Sequence, residues 1–114
     1  IGPTITHRKK AIEQFMKNIS PPDIARNINH SLKAVERYIM QFSRVYFLNE
    51  KNINPLEISF LVGISTSLTN ELIDMAKSYC HKKDYQEKIQ EIKNTGKNYF
   101  NDLDIQKKIL VRGK

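Results

Sequence analysis

The chain has 114 residues, of which 39% are hydrophobic and 27% are charged, so it is long enough for one small domain or two very small units. A formal net charge of +7 favours a polyanionic partner, although charge by itself does not separate DNA, RNA and anionic membranes. The single cysteine, Cys80, excludes an intramolecular disulfide and a zinc ribbon.

The same composition also indicates in which cellular compartment the protein is expected. A lone cysteine favours a reducing environment, and we expect a cytoplasmic protein. The sequence shows neither a long apolar run nor a signal-peptide core, which predicts a soluble chain with no membrane partner. Because the sequence begins at Ile1 and not at methionine, we also expect it to be a fragment or a processed product.

Helical periodicity begins near the N-terminus. Apolar residues that share one helical face predict a first helix over residues 7–18; they are Ala11, Ile12, Phe15 and Met16. Ser20 and Pro21 then fit the N-cap and the first position of a short second helix. Asn29 tolerates a left-handed backbone, and we expect it to end that helix in a tight turn.

The following segment predicts a long helix. Ser31 is a suitable N-cap, and apolar residues recur at steps of three and four up to about Asn52; they are Leu32, Val35, Ile39, Phe42 and Val45. The pattern restarts at residues 54–55, with Gly63 expected at the turn and Ser65 as the next cap. No strand-like alternation extends over more than a few residues, so the predicted fold is all-α.

The C-terminal third has weaker signals. The helix that starts at Ser65 has no obvious end before Cys80, and helical spacing resumes at residues 85–92. The triplet at residues 94–96, Asn-Thr-Gly, predicts a break in that helix. One final amphipathic helix is predicted after it from the spacing of Tyr99, Leu103, Gln106 and Leu110.

An internal repeat organises residues 20–76. Residues 20–24 align with 54–58, and residues 28–31 align with 62–65, both at the same offset. A helix-turn-helix unit needs a small residue at the helix crossing, a residue with positive φ four positions later and an apolar residue six positions further on. The first copy supplies Ala25, Asn29 and Val35 at these positions, and the second supplies Ser59, Gly63 and Thr69, the same layout with a polar substitute at two positions.

The repeat therefore predicts tandem helix-turn-helix units that share a long central helix, followed by a C-terminal helical extension. Residues 1–46 contain eight basic and three acidic residues, residues 47–80 contain two and four, and residues 81–114 contain nine and five. We expect residues 1–46 to be a basic DNA reader and residues 47–80 an acidic unit for support or protein contact. For residues 81–114 we expect a charged helical tail.

The groove-facing surface of the first unit is predicted on the helix that begins near Leu32. Its candidates for contact with double-stranded DNA are Ser31, Lys33, Glu36, Arg37, Gln41 and Arg44. Arg37 is the main candidate for reading guanine, and Lys33 suits a phosphate or a guanine edge. Residues expected to contact the DNA backbone are Arg26, Lys17, Arg8, Lys9 and Lys10. An ordinary solvated helix face remains the alternative interpretation.

The equivalent face of the second unit is less suited to DNA, because Glu71 and Asp74 would repel phosphates. His7, His30 and His81 lack ligand spacing in the sequence, so we expect no metal site and no cofactor. No paired carboxylates, activated nucleophile or phosphate-binding glycine loop is recognisable, and the sequence does not predict an enzyme.

A set of short motifs resembles an uncharacterised prokaryotic family, domain of unknown function 1670. The motifs are Ile1-Gly2-Pro3, Ile5-Thr6-His7, Asp23-Ile24-Ala25-Arg26, His30-Ser31, Val35-Glu36-Arg37-Tyr38, Phe42 and Arg44-Val45. The similarity extends through Ile58 and Gly63 to about Tyr79. The resemblance implies a C-terminal half of a protein with another helix-turn-helix-like region upstream, and DNA binding by association. Asn29 stands where the family usually has glycine. The wider layout is similar to the DNA-binding segments of response regulators and sigma factors.

Three functions follow as hypotheses. The first is the DNA-binding module of a prokaryotic transcription regulator, with a homodimer expected through the tail helices. The second is the DNA-targeting half of a transposase or recombinase, which metal-binding carboxylates upstream of Ile1 would favour. The third is a helical protein-interaction scaffold, since the period of the repeat also occurs in tetratricopeptide repeats, although the aromatic and glycine signature of that repeat is absent.

Overall fold

The computed structural model of the protein describes residues 6–101, and the regular elements in that range are all helical. The helices are α1 (His7–Met16), α2 (Pro21–Ile28), α3 (Leu32–Glu50), α4 (Pro55–Val62), α5 (Thr66–Tyr79), a 3₁₀ turn (Lys83–Tyr85) and α6 (Gln86–Phe100). The predicted all-α fold is confirmed. Over the same range, no helix combines the length and the apolar character that crossing a bilayer requires.

Capping residues set the start and end of α2 and the start of α3, as the sequence predicts. Ser20 is the N-cap of α2, and its Oγ accepts the backbone N–H of Asp23 at 3.4 Å. Asn29 ends α2 in the left-handed region, with φ 56° and ψ 50°. Just beyond it, Ser31 Oγ accepts the backbone N–H of Ala34 at 3.0 Å. A left-handed residue and a serine cap thus reverse the chain over a very short segment.

The same local structure recurs in the second copy of the repeat. Asn54 caps α4 through a 2.9 Å bond from the Glu57 N–H, and Gly63 ends α4 with φ 81°. The hydrogen bond of His30 N–H to the Ala25 carbonyl, 3.0 Å, has its counterpart in Ile64 N–H to the Ser59 carbonyl, 3.1 Å. The repeat in the sequence is therefore also a repeat in backbone hydrogen bonding.

Two predicted helix ends were misplaced slightly, and the end of a third, left open by the sequence, is now defined. α1 ends at Met16 and not at Asn18, because Asn18 adopts a left-handed conformation with φ 67°. α3 ends at Glu50 for the equivalent reason, since Asn52 has φ 62°. α5 ends at Tyr79 and does not continue past Cys80. Asn18 and Asn52 occupy equivalent positions of the two copies, so the repeat includes the turn that precedes each short helix.

The predicted break at residues 94–96 is wrong, because α6 continues through all three residues to Phe100. Gly96 is buried in this helix, and a Cβ atom there would lie 2.4 Å from the Ser43 carbonyl oxygen and 2.7 Å from Phe47 Cβ. Glycine at this position permits close approach of α6 to the C-terminal part of α3. Glycine at this position therefore indicates tight helix packing and not the end of a helix.

Two compact units make up the fold: one ends at Phe42 and the other begins at Ser43, within α3. Fully buried apolar side chains of the first unit include Ile12, Ile24 and Val35, and those of the second include Leu48, Ile58, Leu72 and Ile92.

In the second unit, burial raises the pKa of Tyr46 to about 12, with smaller contributions from Glu50 and Cys80, so its hydroxyl stays protonated at neutral pH. Of the predicted final helix, Tyr99 belongs to α6, and Leu103, Gln106 and Leu110 lie outside the described residues.

Replacement of Gly96 tests the packing of α6. Gly96→Ala should lower the free energy of unfolding by about 1–3 kcal/mol through overpacking, even though alanine is the better helix former by about 1 kcal/mol. Urea unfolding followed by circular dichroism measures the change. The matched control is Asn98→Ala, an exposed position on the same helix, which should alter stability by less than about 0.5 kcal/mol. A Gly96→Ala variant as stable as the parent chain would contradict this account of the packing.

Candidate nucleic-acid interface

The first two turns of α3 present a polar face opposite a buried one. Ala34, Val35, Tyr38 and Ile39 are buried. Lys33, Glu36 and Arg37 alternate with these buried residues and are all exposed, as expected for an amphipathic helix. Ser31 is exposed as well, but its hydroxyl oxygen already accepts the N–H that caps α3. Of the candidates at the start of this helix, the charged ones remain accessible to a ligand.

Several cations of α1 and α2 are accessible too. The Arg26 side chain is 72% exposed and pairs with Asp23, one turn earlier on α2. An exposed pair of this kind contributes only about 0–1 kcal/mol, so a phosphate can compete for the guanidinium at little cost. Lys10 and Lys17 are exposed, and Lys9 is half-buried. These residues supply the positive charge expected of a surface that contacts a DNA backbone.

Two candidates further along α3 are engaged by the protein itself. Gln41 is half-buried, and its Oε1 is enclosed with no hydrogen-bond partner among residues 6–101. The Arg44 guanidinium carbon lies 3.5 Å from the centroid of the Tyr99 ring, and its Nε is also buried. Stacking of this kind uses the cationic face of arginine within the second unit. The contact with Tyr99 favours a packing role for Arg44, and enclosure of Oε1 leaves that acceptor of Gln41 inaccessible to a ligand.

A cluster of aromatic and cationic side chains lies where α1, the turn after α2 and α3 meet. The His7 and His30 rings have centroids 4.0 Å apart, and the Tyr38 ring lies 6.1 Å from His30. The guanidinium carbons of Arg8 and Arg37 lie 5.2 Å and 5.5 Å from the Tyr38 ring centroid. We name these five residues the His–Arg cluster. It connects Arg37 on the exposed face of α3 with Arg8 at the start of α1.

Sequence reasoning did not find this cluster. His7 and His30 are distant in the chain, and neither has a neighbour at ligand spacing. Only the packing of α1 beside the turn at Asn29 brings the two rings together. The available signals were that His7 opens α1 and that His30 occupies the turn itself. Within the range that the structure describes, no group of three or more His, Cys, Asp or Glu side chains is placed to hold a metal.

The equivalent surface of the second unit differs in chemistry. The positions equivalent to Pro22 and Arg26 are Leu56 and Phe60, which are 70% and 54% exposed. Position 71, which is equivalent to Arg37, is a half-buried glutamate, and Asp74 one turn later is exposed. The same backbone geometry thus displays cations in one unit and apolar and acidic side chains in the other.

The second unit also has a lysine-rich groove of about 250 Å³ between α6 and the end of α3. Its lining residues are Phe47, Glu50, Lys51, Gln90, Lys93, Asn94 and Lys97. The Lys93 Nζ forms an ion pair with a Glu50 carboxylate oxygen at 3.3 Å, and the Lys51 Nζ lies 5.2 Å from the Phe47 ring centroid. Lys51, Lys93 and Lys97 thus contribute three cations to one groove of this unit, beside the carboxylate of Glu50.

Comparison with known proteins gives a family and no further relative. Curated proteins and solved structures show no significant match to the chain. The sequence profile of a family described as a protein of unknown function (DUF1670) matches residues 1–75, which includes α1 to α4 and most of α5. Because this match extends over more than half of the 114 residues, the chain belongs to the DUF1670 family.

Proposed function

We propose that the first unit binds double-stranded DNA as a helix-turn-helix module of a prokaryotic transcription regulator, with the first turns of α3 in the major groove. The observation that supports this proposal is the exposed face of Lys33, Glu36 and Arg37 directly after the left-handed turn at Asn29. In helix-turn-helix proteins the N-terminal residues of the second helix contact base edges. Arginine and lysine at these positions can donate hydrogen bonds to O6 and N7 of guanine.

Backbone contacts come from the cations of α1 and α2 in this proposal. Arg26, Lys10 and Lys17 are exposed and precede the reading helix in the sequence. Contacts of this type orient the protein on the duplex and contribute most of the sequence-independent affinity. Gln41 and Arg44 are not part of the proposed surface, because the Gln41 Oε1 is enclosed and the Arg44 guanidinium stacks on Tyr99.

The second unit is proposed to contact protein, and the occupant we favour is a second copy of the chain. Leu56 and Phe60 lie one turn apart on α4 and are both largely exposed, where the first copy has proline and arginine. Each chain offers one basic unit, and helix-turn-helix readers commonly engage two half-sites as two-fold dimers. An isologous contact through α4 would supply that symmetry.

Salt dependence tests whether the interaction is with DNA phosphates. A duplex selected from a random library should bind the full chain with a log affinity that falls against log salt at a slope of about −4 to −5, if about four to six phosphates are contacted. Fluorescence anisotropy at several salt concentrations gives this slope. An affinity that does not change with salt, or no binding to any duplex at low salt, would contradict the proposal.

Two arginine variants separate base reading from backbone contact. Arg37→Ala should lower the binding free energy for the selected duplex by about 1–3 kcal/mol and have little effect on an unrelated duplex. Arg26→Ala should weaken binding to both duplexes alike and reduce the salt slope by about 1. Arg37→Lys retains the charge but loses paired hydrogen bonding, so it should resemble Arg37→Ala in specificity. Lys77→Ala, an exposed cation of α5, is the matched control. Equal losses for Arg37→Ala and Arg26→Ala on both duplexes would remove the assigned roles.

Substitution on α4 tests the proposed self-association. The parent chain should show a dimeric mass by light scattering at high micromolar concentration, and Phe60→Arg should shift it to a monomer. Arginine is the residue that the first copy has at the equivalent position, so the backbone tolerates it there. Lys77→Ala should leave the mass unchanged. A monomeric parent chain at the same concentration would contradict the assignment of a second copy to this surface.

A further inference from the structure

Two titratable rings meet at a point surrounded by positive charge in the first unit. His7 is the first residue of α1, and His30 lies between α2 and α3, yet their ring centroids are 4.0 Å apart with a 35° angle between the planes. His7 is exposed and His30 is half-buried, so solvent and ligands reach the pair. Arg8 and Arg37 lie close by, each on the Tyr38 ring.

The electrostatic environment of this pair favours an anion. α1 opens with the basic run of residues 7–10 and has no acidic residue in its first turn. Cations at a helix N-terminus are opposed by the helix dipole, whereas a phosphate at the same place is stabilised by it. A bound anion would relieve this arrangement.

The turn between α2 and α3 does not by itself require His30, Arg37 or Tyr38. In the second copy, the positions equivalent to His30 and Tyr38 are Ile64 and Leu72, and the one equivalent to Arg37 is Glu71. The second copy still forms the same left-handed turn, serine cap and backbone hydrogen bonds. Apolar side chains at the positions of His30 and Tyr38, and an acidic one at that of Arg37, are therefore compatible with the same turn. The turn alone does not account for the identities of His30, Arg37 and Tyr38 in the first copy.

All three helices of the first unit place charged groups around the pair. The charged residues are Arg8, Lys9, Lys10 and Glu13 on α1, Asp23 and Arg26 on α2, and Lys33, Glu36 and Arg37 on α3. Asp23 is paired with Arg26, and cations outnumber carboxylates by six to three. Two imidazolium rings 4.0 Å apart would repel each other and these cations, unless an anion lay beside them.

We propose that His7 and His30 form a proton-linked contact to a phosphate of the DNA backbone, a contact that rests on the DNA binding proposed above. On binding, one imidazole takes a proton from solvent, and its N–H donates a hydrogen bond to a phosphate oxygen. Histidine is suited to this because its charge changes between about pH 5 and 8. Arg8, on the Tyr38 ring, adds fixed positive charge beside the pair, whereas Arg37 keeps the base-reading role proposed above.

The pH dependence of DNA affinity tests the proposal. Affinity of the full chain for the selected duplex should rise as pH falls from about 8 to 6, by at most about tenfold per pH unit for uptake of one proton. His7→Gln and His30→Gln should each reduce this dependence strongly while retaining most of the affinity at the alkaline end. His81→Gln, an exposed histidine of the second unit, should behave as the parent chain does. Calorimetry in buffers of different ionisation enthalpy measures the proton uptake directly.

The outcomes separate this contact from the underlying function. Salt-dependent DNA binding with a flat pH profile, or a profile unchanged in both His7→Gln and His30→Gln, would overturn the histidine contact and leave DNA binding intact. No binding to any duplex at any pH would overturn both. A variant that loses pH dependence but also unfolds would not count as support, so circular dichroism accompanies each measurement, and His30→Asn provides a second polar replacement that must give the same loss.

Discussion

The left-handed conformation of Asn29 is the constraint on which the first unit depends. It ends α2, and with Ser31 as a cap it allows α3 to begin at Leu32 almost immediately afterwards. Few residues other than glycine adopt this conformation at modest cost, and asparagine is one of them. The turn fixes which residues of α3 are exposed at its start, and it places His30 against His7. The exposed face of Lys33, Glu36 and Arg37 and the His–Arg cluster both depend on this turn.

Duplication of this turn provides an internal comparison. Gly63 and Ser65 reproduce it in the second unit, with matching backbone hydrogen bonds. Lys17 is retained as Lys51, but Arg26, Lys33 and Arg37 on the short helix and the reading helix become Phe60, Ser67 and Glu71 in the second copy. Because equal backbones accept both sets, the turn itself does not depend on these three cations. This contrast is the main reason to interpret them as ligand contacts.

The C-terminal third has a structural role that its sequence obscured. Residues 94–96 read as a helix break, since asparagine, threonine and glycine are each poor helix formers. In the structure, Gly96 instead allows α6 to approach the Ser43 carbonyl, while Tyr99 packs on Arg44 and Phe100 on Phe47. Helix propensity amounts to about 1 kcal/mol for such a glycine. Burial of the neighbouring aromatic rings contributes more than that, so packing decides the conformation.

The sequence by itself determined the local structure: the all-α class, the caps at Ser20, Ser31 and Ser65, the turns at Asn29 and Gly63, and the charge contrast between the copies. These features depend on residues within a few positions of each other, where propensity and capping act. Only the tertiary structure decided that Gln41 and Arg44 are engaged by the protein, that α6 continues through Gly96 and that His7 meets His30. Each of these depends on contacts between residues distant in the chain, which helical periodicity does not specify.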